Sequence, residues 1–106
     1  MQINLAGHHV DITPALRAYV TEKIERLDRH FHHIISAQVI LKLEKNRHLA
    51  EGSLSVGGSP DLFANADEID LYAAIDALAD KLDRQVRRLK SKLTAHARGA
   101  PKAGAI

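Results

Sequence analysis

Hydrophobic and polar residues alternate with a period of two in four short stretches of the chain, which predicts four strands. The alternating stretches are residues 2–7, 37–44, 50–56 and 62–66. Between the second and third stretches, Asn46-Arg47 is predicted to form a tight turn. A Gly-Gly-Ser-Pro-Asp turn at residues 57–61 separates the third stretch from the fourth. These short connections predict that the last three strands form an antiparallel meander.

Two longer stretches carry apolar residues at steps of three and four, which predicts two amphipathic helices. Thr13 followed by Pro14 is a helix start signal, with Thr13 as the N-cap. The apolar stripe of this first helix is Leu16, Val20, Ile24, Leu27 and Phe31. Asp70 is the predicted N-cap of the second helix. The second stripe is Leu71, Ile75, Leu78, Leu82, Val86, Leu89 and Leu93.

The order of these elements predicts an α+β fold, a β-α-β-β-β-α two-layer sandwich. Because only one face of the four-stranded sheet is apolar, both helices should pack on that face. A right-handed crossover through the first helix would make the first two strands parallel. We assign residues 1–98 to one domain and residues 99–106, which contain two glycines and a proline, to a flexible C-terminal tail.

Composition narrows the classes of function. The chain has 106 residues and no cysteine, which excludes disulfides, thiolate catalysis and cysteine zinc sites. It shows no signal peptide pattern and no apolar run near the ~20 residues of a membrane helix. We therefore expect a soluble, intracellular, cytoplasmic protein without membrane contact.

Basic residues are concentrated near the end of the chain. The formal net charge is only +2. Residues 51–80 contain seven acidic side chains and no Lys or Arg, whereas residues 81–98 contain seven Lys or Arg and one Asp. A local excess of this size indicates an anionic partner, although solvated cations at a helix end are the simpler alternative.

Helical geometry arranges these cations in lines. At about 100° per residue, Lys81, Arg84, Arg88 and Lys92 fall beside the apolar stripe of the second helix, with Arg87 further round. Lys23, Arg26 and, beyond them, Arg29 favour one flank of the first helix. If both basic flanks face the groove between the helices, they form a positive channel for nucleic acid. Phe31 and Phe63 are assigned to core or edge packing, so recognition should read backbone and shape.

Other chemistry has less support. Seven histidines, including His8-His9 and His30-x-His32-His33, suggest a metal site. Adjacent histidines on a strand point to opposite faces, and no carboxylate stands at a clear ligand spacing, so we expect no metal and no cofactor. No nucleophile elbow, P-loop, HExxH or dinucleotide-binding pattern occurs, so we expect no enzymatic activity.

Three segments resemble a known family. They are Gly7-His-His-Val-Asp-Ile-Thr-Pro-Ala-Leu-Arg17, Tyr19-Val-Thr-Glu-Lys-Ile24, and Asp70-Leu-Tyr-Ala-Ala-Ile-Asp76 with Asp80-Lys-Leu-Asp-Arg-Gln85. Over residues 1–95 the chain is similar to the bacterial ribosome hibernation promoting factors, also called sigma-54 modulation proteins and related to protein Y. The resemblance implies the same β-α-β-β-β-α fold, which is like that of double-stranded RNA-binding domains.

The resemblance also implies a function. It suggests a protein that binds the small ribosomal subunit and its rRNA in the channel of mRNA and of the A- and P-site tRNAs. There it would inhibit translation in stationary phase or stress and promote inactive ribosome dimers. The chain length resembles the short form, which works with a separate ribosome modulation factor; the free protein should be a monomer. Alternatives are a protein Y-type inhibitor of single ribosomes and an adaptor that modulates a sigma factor.

From helical geometry and the resemblance together, we identify eight candidate RNA-binding residues: Lys23, Arg26, Arg29, Lys81, Arg84, Arg87, Arg88 and Lys92.

Overall fold

The computed structural model describes residues 1–31 and 33–97, with side chains as far as Ser91. Six elements follow one another, as the sequence predicts. They are β1 (Gln2–His8), α1 (Pro14–Phe31), β2 (Ile34–Glu44), β3 (Arg47–Val56), β4 (Leu62–Glu68) and α2 (Leu71–Ala97). The predicted tail at residues 99–106 lies outside the described residues.

The four strands form one sheet in the order β1-β2-β3-β4. β1 is parallel to β2, and the other two pairs are antiparallel, which confirms the predicted crossover and meander. The predicted tight turn is one residue out of place. Glu44 pairs with Arg47, so the turn residues are Lys45 and Asn46, and Lys45 has a positive φ of 55°. Arg47 is already extended and belongs to β3.

Both predicted N-caps are present. The Leu16 amide donates to Thr13 Oγ1 at 3.1 Å, and the Ala73 amide donates to Asp70 Oδ1 at 2.8 Å. A side-chain oxygen at this position satisfies an amide that has no partner within the helix. The polar residue before each apolar stripe therefore sets where the helix begins.

The helices cover one face of the sheet. α2 lies over β3 and β4 and against α1, while α1 lies beside β1 and β2. Gly52 allows α2 to approach β3 closely, because a Cβ there would stand 3.1 Å from Leu78 Cδ2. The largest fully buried side chains belong to both layers: Leu41, Leu54, Leu78, Leu82, Val20, Val39 and Val86. The opposite sheet face is open.

Within the part of the chain that the structure describes, neither helix is long and apolar enough to cross a membrane.

Candidate nucleic-acid interface

Three cations of α2 form a basic flank next to the edge strand β4. Lys81, Arg84 and Arg88 are exposed, and with Asn65 they line a shallow groove between β4 and α2. Lys81 Nζ donates to the Asn65 carbonyl at 2.6 Å. No carboxylate is among the described residues that line this groove. We call Lys81, Arg84 and Arg88 the β4-side flank. Lys92 continues the predicted line in sequence, but its side chain lies outside the described part.

The groove between the two helices has mixed charge. Lys23, Arg26 and His30 of α1 line one wall. The α2 wall comprises Asp76, Ala79, Asp80, Asp83 and Arg87. Lys23 Nζ lies 3.1 Å from Asp76 Oδ1, and Arg87 Nε lies 2.9 Å from Asp83 Oδ2.

The expectation of a positive channel between the helices is therefore wrong. The basic flank of α1 faces the groove, but the line of Lys81, Arg84 and Arg88 faces β4 instead. The reason is geometric. Asp76, Asp80 and Asp83 occupy the opposite flank of α2, and that flank is the one that packs beside α1.

The two candidate arginines of α1, Arg26 and Arg29, are both exposed. Arg26 is paired with Glu22 at 3.2 Å, one turn earlier, while Arg29 is exposed near the end of the helix. An exposed pair of this kind is weak and leaves the guanidinium accessible to another anion. The seven predicted cations with described side chains thus do not converge on one site.

A cluster between the helices was missed by the sequence reasoning. The Tyr19 hydroxyl donates to Asp76 Oδ1 at 2.7 Å, and Lys23 Nζ lies 5.2 Å from the centre of the Tyr19 ring. The Tyr72 ring meets the Tyr19 ring edge-on, with 5.0 Å between centroids. Tyr19 and Lys23 are four residues apart on one helix face, which is a visible signal. Asp76 is 57 residues from Tyr19 and is brought to it by packing alone.

This cluster shifts two pKa values. The pKa of Tyr19 is raised, mainly because its hydroxyl donates a hydrogen bond to Asp76. Burial disfavours the Asp76 carboxylate, but hydrogen bonds from Tyr19 and Lys23 outweigh it and hold the pKa of Asp76 below its ordinary value. Asp76 is therefore a carboxylate at neutral pH and neutralises Lys23, which leaves Lys23 less available to an outside anion.

The open sheet face has an exposed aromatic side chain. Phe31 is buried in the core, as expected, but Phe63 is 67% exposed, so its assignment to packing is wrong. Phe63 occupies an outward position on β4, which alternates with the inward Leu62 and Ala64. Around it lie Gln38, Ile40, Ser53 and Asn65, which line a shallow depression with Glu51.

The histidines do not assemble a metal site in the described part of the chain. No group of three or more His, Asp or Glu side chains there is placed to hold an ion. The His8 and His9 rings are 5.0 Å apart and tilted by 53°. His32, part of the second histidine group, lies outside the described residues.

The chain is similar to known proteins over most of its length. Residues 3–94 match the family model described as sigma 54 modulation protein / S30EA ribosomal protein. A ribosome hibernation promoting factor of Azotobacter vinelandii is 54% identical over 92 residues, which cover 87% of this chain and 85% of that protein.

Two solved structures share the fold. A ribosomal subunit interface protein from Coxiella burnetii superposes with a TM-score of 0.80 at 30% identity, covering 86% of this chain and 99% of that one. The N-terminal domain of Thermus thermophilus Protein Y gives a TM-score of 0.78 at 38% identity, covering 84% and 99% of the two chains.

Proposed function

The chain belongs to the sigma 54 modulation protein / S30EA ribosomal protein family, and on that premise we propose that it is a ribosome hibernation factor. Its relatives carry that name. The protein acts by occupying the ribosome in the cytoplasm rather than by catalysis. The observation that carries this proposal is the β4-side flank, because its three exposed cations can bind a phosphate backbone. No carboxylate is among the described residues that line the groove beside them.

The finer proposal concerns where the protein binds. We assign its partner as the rRNA of the small subunit, in the channel used by mRNA and by A- and P-site tRNA. Lys81, Arg84 and Arg88 extend along about 10 Å of helix, enough to contact successive phosphates of one strand. Arg26 and Arg29 offer a second contact on α1. Lys23 contributes less, since its side chain is only 22% exposed and is already paired with Asp76. Arg87, like Arg26, is in an exposed i,i+4 pair and stays accessible to phosphate.

Co-sedimentation with purified ribosomes tests this proposal. The charge-reversal variant R84E/R88E should lose binding at near-physiological salt, because both cations of the flank become repulsive to phosphate. The matched control is R17E/K45E, which changes the net charge equally at exposed positions outside the flank. Thermal melting checks that both variants fold. If R84E/R88E pellets with ribosomes as well as the wild type does, the β4-side flank is not part of the binding site.

Sucrose gradients test the proposed outcome for the ribosome. Added to ribosomes together with a separate ribosome modulation factor, the protein should increase the fraction of inactive dimers. It should also suppress translation of a reporter mRNA in a cell-free system. Accumulation of inhibited single ribosomes alone would instead assign a protein Y-type action.

A further inference from the structure

Phe63 is the most exposed of the four aromatic side chains. The residue is 67% exposed, compared with 42% for Tyr72, whereas Phe31 is buried and Tyr19 is half-buried. A phenylalanine has no polar atom that gains from water, and its full burial is worth roughly 1.5–3 kcal/mol. A partner that covered Phe63 would therefore gain free energy from burying its ring.

The neighbours of Phe63 suit a nucleobase. Ile40, 37% exposed, is the apolar neighbour within the depression. The amides of Gln38 and Asn65 and the hydroxyl of Ser53 provide donors and acceptors. A base needs one flat apolar surface for its ring and hydrogen-bonding groups for its edge, and this depression has both. The carboxylate of Glu51, on the same lining, is paired with Lys42 at 3.1 Å.

This depression continues round the edge of β4 into the basic groove. Ala64 and Asn65 line both surfaces. Gln85 Nε2 donates to the Phe63 carbonyl at 2.7 Å, and Lys81 Nζ donates to the Asn65 carbonyl at 2.6 Å. Phe63 and Asn65 therefore have their side chains on the open face of the sheet, while their carbonyls accept hydrogen bonds from α2. A phosphate bound by Lys81 or Arg84 would therefore be separated from the Phe63 ring only by the edge of β4.

We propose that Phe63 stacks on an unpaired nucleobase of the RNA whose backbone lies along the β4-side flank. The inference rests on the proposed function and adds to it a base contact on the open sheet face. Charge complementarity and the shared lining select RNA as the occupant: the path leads directly from the apolar ring to three cations. Asn65 and Gln38 are the groups that would meet the edge of the base.

Substitutions at Phe63 test the stacking. By ribosome co-sedimentation, Phe63→Ala and Phe63→Leu should weaken binding about 5- to 100-fold, which is the usual range for loss of one base–aromatic stack. Phe63→Tyr keeps a flat ring and should bind within about twofold of wild type. Ile69→Ala is the matched control, because Ile69 is 84% exposed in the turn before α2. The log–log salt slope should stay as in wild type for every Phe63 variant, since stacking releases no counterion.

Photocross-linking identifies what the ring touches. A photoreactive phenylalanine analogue placed at position 63 should cross-link to rRNA in purified ribosomes, whereas the same analogue at position 69 should not. Cross-links to ribosomal protein alone would overturn the inference. So would a Phe63→Leu variant with wild-type affinity, because leucine replaces apolar area but not stacking.

The two proposals can fail separately. If wild type does not pellet with ribosomes, or if R84E/R88E pellets like wild type, the proposed function or its site fails. If R84E/R88E loses binding while Phe63→Ala keeps it, only the stacking inference fails.

Discussion

Asp76 joins the two helices through contacts to a single turn of α1. Its carboxylate accepts a hydrogen bond from the Tyr19 hydroxyl and forms an ion pair with Lys23, whose side chain is only 22% exposed. A half-buried cation without a partner would oppose the packing of α1 beside α2. The cluster therefore makes the helix contact depend on a carboxylate that must stay ionised.

That dependence predicts a pH effect on stability. The pKa of Asp76 is below its ordinary value of 3.8 in the folded protein. The stability it contributes is therefore fully present above about pH 4 and is lost as pH falls through the lowered pKa. Asp76→Asn should destabilise the protein at pH 7, and its difference from wild type should shrink at pH 3. Urea unfolding at both pH values measures this.

Two variants bracket the Asp76 prediction. Tyr19→Phe removes only the hydroxyl donor and should lower the melting temperature less than Asp76→Asn. Asp61→Asn changes an exposed carboxylate outside the cluster and should unfold like wild type at pH 7. A destabilisation by Asp76→Asn that is equal at pH 7 and pH 3 would contradict the assigned role of the charge.

A second residue-scale prediction concerns the core. Leu82 is fully buried and lies over Gly52 of β3. Leu82→Ala should reduce the free energy of unfolding by about 2–5 kcal/mol, because it leaves a cavity between α2 and the sheet. Equilibrium urea unfolding measures it. The control is Leu43→Ala at a position 38% exposed, which should cost much less.

At the scale of elements, the edge strand β4 is the position where sheet and helix meet. An uncovered edge strand exposes backbone groups that can pair with another chain. Here Lys81 and Gln85 occupy two outward carbonyls of β4. The interaction that covers the edge also places the β4-side flank beside Phe63.

The start of α2 sets the register of that flank. Asp70 caps the helix, and the cations of the flank follow it along the same helix at steps of three and four residues. Asp70→Ala should cost about 1 kcal/mol of unfolding free energy, because the Ala73 amide loses its partner. Asp80→Ala, in the middle of the same helix, is the matched control in thermal melting. An equal effect of the two changes would contradict the capping role.

At the scale of the whole molecule, the two sides of α2 carry opposite charge. One side offers Lys81, Arg84 and Arg88 to solvent at the β4 edge, and the other offers Asp76, Asp80 and Asp83 to the basic flank of α1. Although the net charge is only +2, positive and negative side chains are separated across α2, and they produce an electric field with a defined direction. Such a field orients the protein on an anionic surface as well as attracting it.

This arrangement predicts how binding to ribosomes depends on salt. Replacing one phosphate-contacting cation, as in Arg84→Ala, should reduce the log–log salt slope by about one. Arg47→Ala is the control, because Arg47 is paired with Asp67 at 2.7 Å on β3 and β4, away from the flank. Slopes from co-sedimentation between low and moderate salt give the comparison. An unchanged slope for Arg84→Ala would mean that this side chain contacts no phosphate.

Much of the fold could be predicted because it depends on local signals. Thr13 and Asp70 mark the helix starts, and the residues that alternate along β2 and β3 identify the buried face. The hairpin turn was misplaced by one residue because neither Lys45 nor Asn46 is a glycine, so the positive φ at Lys45 has no strong sequence signal. Phe63 was misjudged because apolar character alone does not show whether a side chain is covered.

The sequence by itself determined the order of elements, their caps, the apolar face of the sheet and the angular position of each cation on its own helix. Only the tertiary structure decided which flank of α2 faces α1. Helical periodicity relates residues within one helix, but the rotation and lateral order of two helices depend on how their side chains pack on the shared sheet. That packing placed Asp76 against Tyr19 and Lys23, and it left the cations of α2 beside β4 and Phe63.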